Sequence, residues 1–190
     1  MRLSRLPLVA LLLLAAGCTS IGVVDSDRAV ELGDGISVMP QITWNSSQTT
    51  GETIWTRNGF TLDSLHFLTG ITPDRPLYRV PSDQRGESGN SFSPSMLPND
   101  IEDLLVTTLQ HQGFENVRGG NLAPCPFGSQ TGFCFTLDFA TQDGLVMKGK
   151  ATALKRGDRL DAIEFYAPAE YYYDALAPTV DKLFASISVK

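Results

Sequence analysis

The stretch from Gly132 to Phe139 constrains this chain more than any other. Phe133, Phe135, Leu137 and Phe139 alternate there with Cys134, Thr136 and Asp138. A period of two reads as a β-strand with its large apolar groups on one face. Such a face must be covered, so the chain needs a sheet with a second layer packed on it. Asp143-Gly144 turns this run into Leu145 to Lys155, and Arg156-Gly157-Asp158 turns that into Leu160 to Tyr166. Gly beside Asp between β-prone runs predicts short turns, so the three runs form an antiparallel meander.

Two helical segments can supply the cover. One opens at Pro98-Asn99-Asp100, with Pro and acids in the first turn, and runs to Gln112 before Gly113. Ile101, Leu104, Leu105, Thr108 and Leu109 share one of its faces. The other is expected from about Ala169 to Ile187, presenting Tyr172, Leu176, Val180, Leu183, Phe184 and Ile187, and Pro178 is expected to kink or split it. Tyr171-Tyr172-Tyr173 point in three directions on such a helix, so one packs and the others stay wet.

The first half is more broken. Ile36, Val38, Pro40, Ile42 and Trp44 alternate with polar neighbours and predict an edge strand or one with a bulge at Pro40. Asn45 to Gly51 reads as a polar loop, and Asn58-Gly59 predicts a hairpin between Thr53–Thr56 and Phe60–Leu68. Thr72 to Pro98 is rich in Pro, Gly and Ser and reads as a long loop that hides at most a short strand at Leu77–Val80. Arg75, Tyr78, Arg79 and Arg85 make that loop the candidate contact surface of an otherwise acidic chain; the alternative is an ordinary solvated loop. Glu115 to Arg118 predicts a strand ending at Gly119-Gly120.

The N-terminus reads as an address. Arg2 and Arg5 precede an apolar run from Leu6 to Ala16, then Gly17-Cys18. A positive start, a short greasy stretch and small residues before a cut are the parts of an export signal, and the run falls short of the roughly 20 residues that span a bilayer. Leu14-Ala15-Ala16-Gly17-Cys18 resembles the lipobox of bacterial lipoproteins. The resemblance implies cleavage before Cys18, a diacylglyceryl group on its sulfur and acylation of the new amino terminus. Thr19, in place of an Asp, implies sorting to the outer membrane on its periplasmic side. The alternative is an ordinary secretory signal with a chance cysteine. Residues 1–17 would then be a signal peptide, 18–35 a tether, and 36–190 a single domain, as suits a chain of 190 residues.

Loss of Arg2 and Arg5 would lower 15 basic residues to 13 against 21 acidic ones, a net charge of about -8. That balance argues against a nucleic-acid partner, which requires clustered Lys and Arg. With Cys18 acylated, Cys125 and Cys134 remain, and an exported protein with two cysteines across a turn-rich stretch is expected to join them. The alternative is two buried thiols. His66 and His111 are the only histidines, and neither lies beside a nucleophile elbow. The remaining residues do not make a metal cage, a phosphate loop or a dinucleotide fingerprint, so no metal and no cofactor is expected.

The order of elements predicts an α+β domain, a single antiparallel sheet with two main helices packed on it. That order, with the export signal and a closing Phe184-Ala185-Ser186-Ile187, resembles the PsbP-like fold, including small lipoproteins of the DcrB type. The resemblance implies an α-β-α sandwich serving as a non-catalytic binding or assembly-accessory module. One alternative is a carrier of a small apolar ligand, with Trp44, Trp55, Phe135 or Phe139 lining a cavity between sheet and helix. An enzyme is the other, without a recognisable constellation.

Overall fold

The computed structural model describes residues 20–49, 52–73, 75–78 and 91–190. Its elements, in chain order, are β1 (Ser20–Val24), β2 (Val30–Gly33), β3 (Ile36–Val38), β4 (Trp44–Thr49), β5 (Glu52–Thr56), β6 (Ser64–Ile71), α1 (Pro98–His111), β7 (Glu115–Phe127), β8 (Gln130–Ala140), β9 (Val146–Arg156), β10 (Arg159–Pro168), α2 (Tyr172–Ala185) and β11 (Ser188–Val189). Among the described residues eight strands form one antiparallel sheet in the order β1-β4-β5-β6-β10-β9-β8-β7. A small second sheet, β11-β3-β2, adds to the single sheet expected.

The predicted meander is present as β8, β9 and β10, with Phe139 opposite Met147 and Ala162 opposite Ala153. Alternation then assigns each strand's side chains to a layer. Phe133, Phe135, Leu137 and Phe139 of β8 join Leu160 and Ala162 of β10 under Ile101, Leu104, Leu105 and Leu109 of α1. Ile163, Phe165 and Ala167 of β10 point the other way, to Leu176, Val180 and Leu183 of α2. The helices therefore lie on opposite faces, an α-β-α arrangement.

Pro98 at the first position and Asp100, whose carboxylate accepts from the Leu97 N–H at 2.7 Å, open α1 as its sequence suggests. The second helix begins later than expected, at Tyr172, because Tyr171 has φ 71° and cannot be helical. It runs through Pro178 as one element, so the expected split does not occur. Tyr173 stacks on Phe165 at 5.8 Å, while Tyr171 is exposed.

Several expectations for the first half are corrected. From Ser20 onward, residues 18–35 are not a loose tether: β1 pairs with β4 from Ser20↔Gln48 to Val24↔Trp44, and β2 pairs with β3. Runs of four or five residues show too little periodicity to be read alone, and their partners lie elsewhere in the chain. A clasp holds this segment down. Asp34 accepts from Arg156 at 2.7 Å and Arg159 at 2.5 Å, and Gly33, Asp34 and Gly35 all take positive φ to bring β2 back along β3. The single strand expected over 36–44 is broken at Met39–Thr43, where Gln41 has φ 72°, and the supposed polar loop from Asn45 is strand β4.

The hairpin between β5 and β6 forms, but not on a two-residue turn. Asp63, almost fully buried, accepts from the backbone N–H of Arg57 at 2.6 Å and of Asn58 at 2.8 Å and organises a wider loop. Gly119-Gly120 do not end β7, which crosses them and continues to Phe127 with register shifts.

Candidate functional site

Two features stand out: a closed polar cluster and an open apolar groove. The cluster lies under the α1 layer, on the sheet between β5, β6 and β10. His66 sits opposite Glu164 across the β6–β10 pair. Its Nδ1 lies 3.0 Å from Glu52 Oε1, and its Nε2 lies 3.0 Å from the Tyr166 hydroxyl. Each ring nitrogen of His66 thus faces an oxygen, Glu52 on one side and Tyr166 on the other, and the ring's tautomer sets which contact it donates. The imidazole stacks on the Tyr166 ring at 5.2 Å and meets the Tyr78 ring edge-on at 5.3 Å.

Tyr78 donates its hydroxyl to Glu164 Oε2, and among the described residues the fully buried Glu164 Oε1 has no partner. Burial pushes the Glu164 carboxyl above the ordinary carboxylate range, with His66 opposing the shift. Burial, and next the adjoining Glu164 carboxylate, push the Tyr78 phenol well above its usual value. Tyr166 moves the same way for the same leading cause. His66 is 5% exposed and lies against the Tyr78 and Tyr166 rings, so the imidazole is a buried group of the α1 layer. Among the described residues no three or more His, Cys, Asp or Glu side chains converge as metal ligands would.

Of the loop residues expected to make contacts, Arg75 is exposed, but Tyr78 is not available: it is 4% exposed and built into the cluster. Its aromatic ring belongs to the α1 core with Leu77 and Phe92, where Pro76 bridges Ser91 and brings the two ends of the long loop together. Arg79 and Arg85 lie outside the described residues, as do the signal segment 1–17 and Cys18.

The groove lies where α1 begins. It encloses about 460 Å³ and is lined by Met96, Ile101, Leu122, Phe133, Leu154 and the rim cation Lys155 among others. Lys155 donates to the carbonyls of Pro94 at 2.9 Å and Met96 at 2.8 Å, and so fastens the turn leading into α1 against β9. Gly132 forms part of the floor. A Cβ there would lie 2.3 Å from the Ala153 carbonyl oxygen, so only glycine lets the two strands approach this closely. None of the four residues expected as alternatives to line a cavity is part of this groove. Trp44 and Trp55 pack with α2, whereas Phe135 and Phe139 pack with α1, so the four lie on opposite faces of the sheet and line no common space.

Beside the groove, Cys125 and Cys134 are joined across the β7–β8 hairpin, with Cα atoms 5.8 Å apart, and Cys125 Sγ lies 3.6 Å from the Thr152 hydroxyl. The cysteines were legible in the sequence; the groove and the cluster were not. The available signal for the cluster was Glu164 in the otherwise apolar run Ala162-Ile163-Glu164-Phe165, an acid at a position that alternation turns inward.

No family model and no curated protein matches the chain. Among solved structures it is similar to CyanoP, the cyanobacterial PsbP of Synechocystis sp. PCC 6803, at 13% identity and a TM-score of 0.48, covering 93% of this chain and 96% of that one. It is similar at 10% identity and a TM-score of 0.48 to the Ran-binding protein Mog1p of Saccharomyces cerevisiae, covering 90% and 96%. It is similar at 8% identity and a TM-score of 0.37 to LpqN, involved in cell envelope biogenesis of Mycobacterium tuberculosis, covering 93% and 87%. At this level of overlap no partner or activity carries across.

Proposed function

We propose that this chain is a lipid-anchored protein of the cell envelope, held through acylated Cys18 on the periplasmic side of the outer membrane, and that it works as a non-catalytic binding module through the groove at the start of α1. The groove carries the reading. Its volume of about 460 Å³ falls in the usual range for sites that accept a small ligand or a few partner side chains, and its lining is apolar with one cation at the rim. The burial of His66, beneath the rings of Tyr78 and Tyr166, favours a structural over a catalytic role for that cluster. The export signal and Leu14-Ala15-Ala16-Gly17-Cys18 support the anchor; among the described residues no helix is long and apolar enough to cross a membrane.

A photocrosslinking residue at Leu122, in the groove, and another at Asp158, in the exposed β9–β10 turn, test the binding face in intact cells. A product at Leu122 and none at Asp158 is expected; equal labelling or none at Leu122 overturns the reading. The same groove suits a small apolar ligand, and native mass spectrometry of protein taken from membranes separates the two occupants by mass. Fractionation of Cys18→Ser tests the anchor: the variant should leave the membrane fraction.

A further inference from the structure

Strand β1 forms an outer edge of the large sheet, and it carries none of the usual protection of such edges: Ser-Ile-Gly-Val-Val contains no charge, proline or bulge. Alternation points Ile21 and Val23 to the same side, where they are 71% and 67% exposed, the most exposed large aliphatic side chains among the described residues. Their partners across the ladder, Ser47 and Asn45, are too small or too polar to cover them. Val24 points to the other side and packs partly into the α2 core. A bare apolar edge of this kind calls for an occupant.

The length of chain before β1 names one. Only Thr19 separates Cys18 from Ser20. At about 3.3–3.6 Å per residue, Ile21 lies within about 10 Å of Cys18 even when the chain is fully extended. The headgroup layer of one leaflet is itself roughly 5–8 Å thick. An acylated Cys18 therefore leaves Ile21 at or just above that layer, and a strand lying along the surface carries Val23 into it as well.

We propose that β1 lies against the lipid bilayer, with Ile21 and Val23 in the interfacial layer beside the anchor, and so orients the domain on its membrane. The proposal rests on the lipid-anchor reading above. It presents β7, at the far edge of the same sheet, and the adjacent groove away from the β1 edge. Asp25 and Asp27, which follow β1, favour a zwitterionic surface over an anionic one.

The acylated protein carrying Ile21→Cys, Val23→Cys or, on the β7–β8 turn, Ser129→Cys is labelled with a polarity-sensitive fluorophore and reconstituted in phosphatidylcholine vesicles. Quenching by aqueous iodide should be several-fold weaker at 21 and 23 than at 129, with blue-shifted emission at the first two. Equal quenching at all three positions, with lipid on Cys18 verified by intact mass, overturns the orientation and leaves the anchor standing. Absence of lipid on Cys18 overturns both. Protection at 21 and 23 that persists in the Cys18→Ser chain without vesicles marks a second copy on the edge and also overturns the proposal.

Discussion

Strand β10 holds two fully buried carboxylates three residues apart, Asp161 and Glu164, and alternation sends them to opposite faces of the sheet. Asp161 has both oxygens engaged: Oδ2 accepts from Arg156 Nε at 2.7 Å, and Oδ1 from the Gly70 N–H at 2.8 Å. Glu164 receives one hydroxyl, from Tyr78, and among the described residues its second oxygen has no partner. The same functional group is thus a paired anion on one face and an under-satisfied acid on the other. Burial raises the pKa of Glu164, which moves toward its neutral form, as a buried carboxyl without a full set of partners should.

This contrast can be broken most forcefully at Asp161. Asp161→Ala leaves Arg156 Nε and the Gly70 N–H without their acceptor, Arg156 keeping only Asp34, and should cost about 3 kcal/mol in urea unfolding; a loss below about 1 kcal/mol would show that Asp34 alone suffices for Arg156. Removing the cross-link with Cys125→Ser and Cys134→Ser should cost about 2–3 kcal/mol at most, and the loss should be the same at every pH over which Glu164 titrates. Thiol titration of the unfolded, unreduced protein provides the companion measurement and should find neither of these two sulfurs free.

On the other face, Tyr78→Phe removes the hydroxyl that donates to Glu164 Oε2 and should cost about 1–2 kcal/mol in the same unfolding measurement. The pH dependence sharpens the comparison further. Because the folded-state pKa of Glu164 is raised, its contribution is fully present below the unfolded value of about 4.3 and is lost as pH rises through the folded value. Glu164→Gln should therefore gain stability relative to the parent as pH rises from about 4 to about 8, read as a narrowing or reversal of the difference in unfolding midpoints. A difference that stays constant would place the ionised form in the core after all. The smallest effect belongs outside both cores: Ile21→Ser should change the stability of the lipid-free domain by less than about 0.5 kcal/mol.

The extent to which sequence anticipated these features follows from how local each one is. The β8–β10 meander and the buried face of α1 were legible because long periodic runs bounded by Gly-containing turns carry their own signal. Strand β4 was misread because Asn45-Ser46-Ser47-Gln48 is polar, and it becomes a strand only through pairing on both sides with β1 and β5. The wide loop after β5 was misread because the tight turn suggested by Asn58-Gly59 competes with Asp63, whose carboxylate gathers the N–H groups of Arg57 and Asn58. Tyr78 looked like a surface residue because Pro and Gly surround it. Only the bridge between Pro76 and Ser91, with Phe92 buried beside it, turns that part of the loop inward.

By itself the sequence determined what depends on neighbours along the chain: the alternating strands, the Pro98-capped helix, two cysteines on one hairpin, and the export-signal pattern ending at Cys18. The tertiary structure alone decided which strands pair, which buried acid finds a cation, and where an apolar groove stays open. Those outcomes depend on groups far apart in the chain, such as Asp34 and Arg156, or Ser37 and Ser188 across the β3–β11 pair. Their meeting is fixed by the packing of two helices on opposite faces of one sheet, which no local pattern encodes.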